Sequence, residues 1–90
     1  MPKDARVMLF GSRARGDESA TSDWDLLVLL NRPGSVTIDE LGKLSYPFYD
    51  LSAELDIEIN PVIYTEEDWK KRAFTPFYKN TTADSILLWG

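Results

Sequence analysis

The sequence predicts an α/β fold: a small sheet of three strands backed by two or three helices. Two short apolar runs, residues 7–10 and 26–30, each end at turn residues, Gly11-Ser12 after the first and Asn31-Arg32-Pro33-Gly34 after the second. Runs of this length bounded by turns suit strands. A third run, residues 55–64, alternates Leu55, Ile57 and Ile59 with Asp56, Glu58 and Asn60, the period of a strand with one polar face. Between and after these runs stand two helix starts, Thr37-Ile38-Asp39-Glu40 and Thr65-Glu66-Glu67-Asp68.

Residues 1–6 are short and polar and are expected to fray, so the first strand starts almost at once. In residues 23–30 side chains alternate between faces of the second strand, which puts Asp23 and Asp25 on one face and Trp24 on the other. Two like charges held so close repel each other, and a divalent cation removes the objection. Magnesium fits best, because it is a hard ion held by one or two carboxylates together with substrate phosphates. The Gly11-Ser12 turn can cradle those phosphates: glycine permits close backbone approach, and the turn's N–H groups and the Ser12 hydroxyl can point at anionic oxygens. Arg13 and Arg15 add charge that pairs with phosphate in a fork, Arg13 being nearer the turn. Asp17 and Glu18, in the polar stretch 16–22, read as solvated loop charges, and Ser22 shapes the turn before Asp23.

Thr37 and Glu40 form a capping-box pattern, with Val36 and Leu41 placed to staple it. This helix is expected to run to about Tyr46 and to kink or restart at Pro47, which lacks an N–H. Tyr46, Phe48 and Tyr49 are expected to pack the helix onto the sheet. In the third strand Asp56 and Glu58 share a face, which can be the one carrying Asp23 and Asp25, and Pro61 marks an edge or a bulge. Thr65 caps the next helix, with acids in its first turn and Lys70, Lys71 and Arg72 in its last. Thr75-Pro76 opens a final helix, and residues 86–89 supply apolar surface for packing or for a partner.

Composition narrows the functions available. Ninety residues, 43% hydrophobic and 28% charged, make one domain with a modest core. The net charge of −5 argues against broad nucleic-acid binding, which needs a basic face. No cysteine means no disulfide framework and no thiol nucleophile, and no histidine removes the usual general base. The longest unbroken apolar run is residues 26–30, too short to span a membrane, so the cytoplasm is the expected location.

Phe10-Gly11-Ser12, a ten-residue gap, and Asp23-Trp24-Asp25-Leu26 together resemble the signature of the DNA polymerase β-type nucleotidyltransferase superfamily. The wording GSRARG…SDWDLLV is similar to its smallest branch, the minimal nucleotidyltransferases. The resemblance implies the polymerase β-type palm, a small mixed sheet packed with helices. It also implies Mg-dependent transfer of a nucleoside monophosphate, AMP from ATP foremost, to a hydroxyl, with two magnesium ions. In that family Gly11 and Ser12 would hold the triphosphate, Asp23 and Asp25 the metal ions, and a third carboxylate would complete the metal site and activate the attacking hydroxyl. That carboxylate falls on Asp56, with Glu58 one step along the same face as the alternative. Family members usually carry a helix before the first strand; here it is lost or lies in a longer parent, which leaves a sheet face for a homodimer or another partner. The resemblance further implies pairing with a helical HEPN-type ribonuclease from a neighbouring gene, the nucleotidyltransferase being the antitoxin. Two alternatives stand beside this reading: a non-catalytic nucleotide-binding partner subunit, and the catalytic subunit of a two-component small-molecule nucleotidyltransferase.

Overall fold

A computed structural model describes residues 4–16 and 23–90, and for Ser12 the backbone alone. The readings of Asp17, Glu18 and Ser22 lie outside the described residues. The elements run β1 (Ala5–Phe10), α1 (Ser12–Arg15), β2 (Trp24–Leu30), α2 (Ile38–Leu55), β3 (Ile59–Thr65), α3 (Glu66–Lys71), α4 (Pro76–Asp84) and β4 (Ile86–Trp89). The four strands form one mixed sheet in the order β3-β2-β1-β4. β1 pairs antiparallel with β2 and with β4, while β2 and β3 are parallel, joined through α2.

The sheet has an apolar core on each face, because β2 is apolar at every position from Leu26 to Leu30 and both faces are covered. On one face Leu26, Val28 and Leu30 pack with Val7, Leu9, Ile59 and Ile63 beneath Phe48 of α2. On the other, Leu27 and Leu29 pack beneath Trp69 of α3, with Met8, Phe10, Val62, Tyr64 and Tyr78 around them. Trp69 is 4% exposed. Its ring lies 5.4 Å from that of Tyr64, 5.8 Å from Phe77 and 4.8 Å from Tyr78, so it locks α3 and α4 to the sheet. Trp69→Ala is expected to destabilise the protein by about 3–5 kcal/mol, readable as a lowered urea midpoint. That is a large part of the stability of a domain this size.

The helix starts form as the sequence predicts. The Thr37 side chain accepts from the Glu40 N–H at 3.1 Å and the Glu40 carboxylate accepts from the Thr37 N–H at 3.3 Å, closing the capping box. Thr65 and Thr75 accept from the N–H groups of Asp68 and Tyr78 at 3.1 and 3.2 Å. Lys71 and Arg72 pair back to Glu67 and Asp68, so two of the three basic residues are balanced within their own helix turn. The Glu40 carboxyl is held below its ordinary value, first by the side-chain hydrogen bond from Arg32 and then by the Thr37 N–H. A carboxyl lowered in the fold adds stability above its unfolded pKa and loses it as the pH falls through the lowered folded value. An NMR titration should place the Glu40 inflection below that of an ordinary glutamate, and Arg32→Ala should move it back up.

Four expectations change. The sheet has four strands rather than three, because residues 86–89 pair with the open edge of β1. Helix α2 runs unbroken through Pro47 as one helix of 18 residues. The ring removes one backbone hydrogen bond, about 3 kcal/mol in an unsupported helix, and packing of Leu44 and Phe48 on the sheet carries the helix across. Of the three aromatics there, Phe48 is buried while Tyr46 and Tyr49 are exposed. The third strand starts at Ile59, not at residue 55. Leu55 ends α2 and Asp56 follows it in the left-handed region, φ 53°. Its N–H donates to the Ala53 carbonyl and the Ile57 N–H to the Ser52 carbonyl, the paired bonds of a Schellman stop. Aspartate is among the few side chains that accept that conformation readily. Pro61 does stand on an edge strand.

Candidate functional site

The site lies where β1 ends and β2 and β3 begin. Register sets one row across the sheet: Phe10 of β1 opposite Asp25 of β2, and Asp25 beside Asn60 of β3. Alternation puts Asp25 on the same face as Leu27 and Leu29, the face covered by α3 and α4. Asp23 projects with it, one step before the strand. Both carboxylates are half-buried. The Trp24 N–H donates to the Glu58 carbonyl at 2.8 Å, which fixes the start of β3 against the acid pair.

Gly11 closes the row from the β1 side. Its φ of +80° lets the chain turn sharply out of β1 into α1, and the Arg15 N–H donates to the Gly11 carbonyl at 3.2 Å. A Cβ at this position would sit 2.5 Å from Asp25 Oδ2. The backbone of the turn therefore stands against a carboxylate of the pair, with no room for a Cβ unless that carboxylate moves.

Not every expected residue gathers there. Asp23 and Asp25 meet at Asn60, Gly11 stands against Asp25, and Ser12 follows in the same turn. The reading of the Ser12 hydroxyl lies outside what is described. Arg13 stacks on Trp24, its guanidinium carbon 4.3 Å from the ring centroid, and Trp24 faces the α2 side of the sheet. Arg15 pairs with Asp84 at the end of α4, 2.9 Å apart. Asp56, at the stop of α2, and Glu58, before β3, are both exposed. Among the described residues no three Asp, Glu, His or Cys side chains gather in one place. The three-carboxylate arrangement expected of Asp23, Asp25 and Asp56 is thus not assembled. The chain leaves α2 through a capped turn and reaches the sheet four residues after Leu55 rather than at Asp56.

Asn60 is the residue that the search for acids passes over. Its Nδ2 stands 3.2 Å from Asp23 Oδ2 and, more loosely, 3.5 Å from Asp25 Oδ1. Parity was the available signal: Asn60 shares the alternating face of Asp56 and Glu58, and correct placement of the strand start brings Asn60, not Asp56, beside Asp25. The donor set is two carboxylates and one amide, all hard oxygen donors once the amide presents Oδ1. Such a set fits magnesium.

Comparison with known proteins gives the same direction. A profile of the nucleotidyltransferase domain matches residues 1–86. The chain is 42% identical over 59 residues to "Putative protein adenylyltransferase MJ0141" of Methanocaldococcus jannaschii, an alignment covering 66% of this chain and 58% of that protein. It is 29% identical over 84 residues to "Putative protein adenylyltransferase MJ0604" of the same organism, covering 93% and 77%. Among solved structures it superposes on a crystal structure of a toxin–antitoxin with AMP-PNP. The TM-score is 0.67 at 24% identity, over 100% of this chain and 64% of that one. The chain therefore spans less than two thirds of the first relative and of the solved neighbour. The mixed α+β architecture, the turn–acid-pair geometry and the profile agree, and the chain belongs to the nucleotidyltransferase domain family.

Proposed function

We propose that this domain transfers a nucleoside monophosphate, AMP from ATP foremost, to a hydroxyl of a partner protein with the help of magnesium. The observation that carries the reading is the Asp23–Asp25 pair joined at Asn60, with Asp25 against the Gly11 turn, inside a nucleotidyltransferase fold. Asp23 and Asp25 hold the metal through carboxylate oxygens. Magnesium, when bound, neutralises the triphosphate and polarises the phosphorus–oxygen bonds. The Gly11–Ser12 backbone offers N–H groups to the distal phosphates. Arg13 and Arg15 leave Trp24 and Asp84 to neutralise charge on the pyrophosphate. The acceptor oxygen bonds to the α-phosphorus as the bond to the β-phosphate bridging oxygen breaks; pyrophosphate leaves and the hydroxyl proton passes to water.

A protein acceptor is supported by the naming of both relatives as protein adenylyltransferases. The solved neighbour, a toxin–antitoxin with AMP-PNP, supports an antitoxin role beside a toxin, of the HEPN type by the resemblance. No helix among the described residues is long and apolar enough to cross a membrane, which suits a cytoplasmic pair. A second reading, a nucleotide-binding subunit that silences its partner by contact alone, is favoured by Asn60 standing beside Asp25 in place of a carboxylate.

The deciding experiment is incubation of the full chain with α-phosphate-labelled ATP and magnesium, with and without the neighbouring gene product, followed by gel electrophoresis. Label on the neighbour establishes the transferase and its acceptor together. Silencing of the neighbour without label moves the conclusion to the contact subunit.

A further inference from the structure

Asn60 has two ways of facing the acid pair, and the charge between Asp23 and Asp25 decides between them. Its terminal torsion is broad and roughly two-fold, so the –NH2 and the carbonyl oxygen exchange places at little steric cost. As described, the –NH2 points inward and donates toward Asp23 Oδ2 and Asp25 Oδ1. Two donors between two carboxylates offset the repulsion of the pair, so the amide stands in for a cation. With Oδ1 inward, three oxygens would converge with no positive charge among them, which a half-buried site does not tolerate. A divalent ion reverses the preference. It repels the –NH2 and attracts the carbonyl dipole, a ligand type that hard cations accept readily.

The geometry points to Asn60 as the third oxygen ligand of the ion held by Asp23 and Asp25, its amide turning over when the ion binds. This inference rests on the nucleotidyl-transfer reading of the pair. It gives the resident set a formal charge of two negatives, balanced by a single divalent ion, where three carboxylates would leave one negative charge over. One ion therefore resides in the site, and any second arrives with the triphosphate. The third position also carries no base, because an amide does not take up a proton at neutral pH.

The test uses the isotope-labelled full chain titrated with magnesium chloride, the Asn60 side-chain amide signals being assigned by their loss in Asn60→Asp. The expected result is a shift of both Asn60 –NH2 protons and of its carbonyl carbon, tracking the carboxyl carbons of Asp23 and Asp25. Manganese binding, read by electron paramagnetic resonance, should tighten by about tenfold or more in Asn60→Asp, since ligand charge sets cation affinity. In Asn60→Leu it should weaken by about tenfold, at the low end of the effect of losing a metal-site partner. A spectrum with native dispersion shows that either variant folds. The inference is overturned if the Asp23 and Asp25 carbons respond to magnesium while the Asn60 amide stays still, or if a folded Asn60→Leu binds manganese like the native chain. Failure of the parent reading looks different: neither the carboxyl carbons nor the amide respond, and Asn60 loses its assigned role with the pair.

Discussion

Replacing Asp23 and Asp25 together by asparagine is expected to lower nucleotidyl transfer by about 10³-fold or more, the scale on which preorganised charge contributes to such reactions. The fold should survive the change. Both side chains are half-buried at the end of the sheet, asparagine has nearly the same shape, and the substitution removes a repulsion that the Asn60 amide offsets. Thermal melting of the metal-free variant should therefore match or exceed that of the native chain, while magnesium no longer raises the melting temperature. The combination is diagnostic: lost activity, lost metal response and retained stability place the chemistry at these two residues. Transfer that persists in a folded double variant puts it elsewhere. A variant without transfer that still silences its partner identifies a contact inhibitor.

Gly11→Ala should be almost as damaging, for a different reason. At φ +80° an L-residue carries a backbone penalty of about 1–2 kcal/mol. The new methyl group would also stand 2.5 Å from Asp25 Oδ2. The far end of a carboxylate can move aside, so the loss of stability stays modest. Moving it displaces a side chain proposed to hold the metal, and an error of about 1 Å in a catalytic group costs on the order of 10²-fold in rate. Gly16 supplies the matched control: its φ is +79°, yet among the described residues nothing lies within 4 Å of the Cβ it lacks. Gly16→Ala should share the backbone penalty and keep the transfer rate. Melting curves and initial rates on the two variants separate strain from contact. Equal rates would remove the Gly11–Asp25 contact from the mechanism.

Much of this was legible in the residues because it is local chemistry. Three threonine caps, the apolar β2 run and the edge position of Pro61 follow from hydrogen-bonding groups and chain periods that operate over a few residues. The misreadings share one cause, a pattern decided by distant parts of the chain. Leu55 fits the helical series of Phe48 and Leu51 and also the alternating series of Ile57 and Ile59, so the border between α2 and β3 cannot be placed by period. The Schellman bonds at Asp56 settle it. Pro47 breaks a helix by local rules, but α2 is held from below by the sheet. Residues 86–89 are four apolar residues without alternation, each 45–56% exposed, and only the open side of β1 makes them a strand. The partners of Arg13 and Arg15 belong to side-chain packing, which the spacing of charges does not encode.

The same strand β4 bears on the order in which the protein folds. Gly11, Asp23, Asp25 and Asn60 all lie before the end of β3, so the residues of the site can come together once the chain reaches Thr65. β4 pairs Trp89 with Val7, one of the longest loops this chain can close, and long-range strand pairing is the slow part of folding. The end of the molecule that carries the candidate site can therefore take shape ahead of the pairing of β4. The outer edge of β1 stays open until β4 arrives.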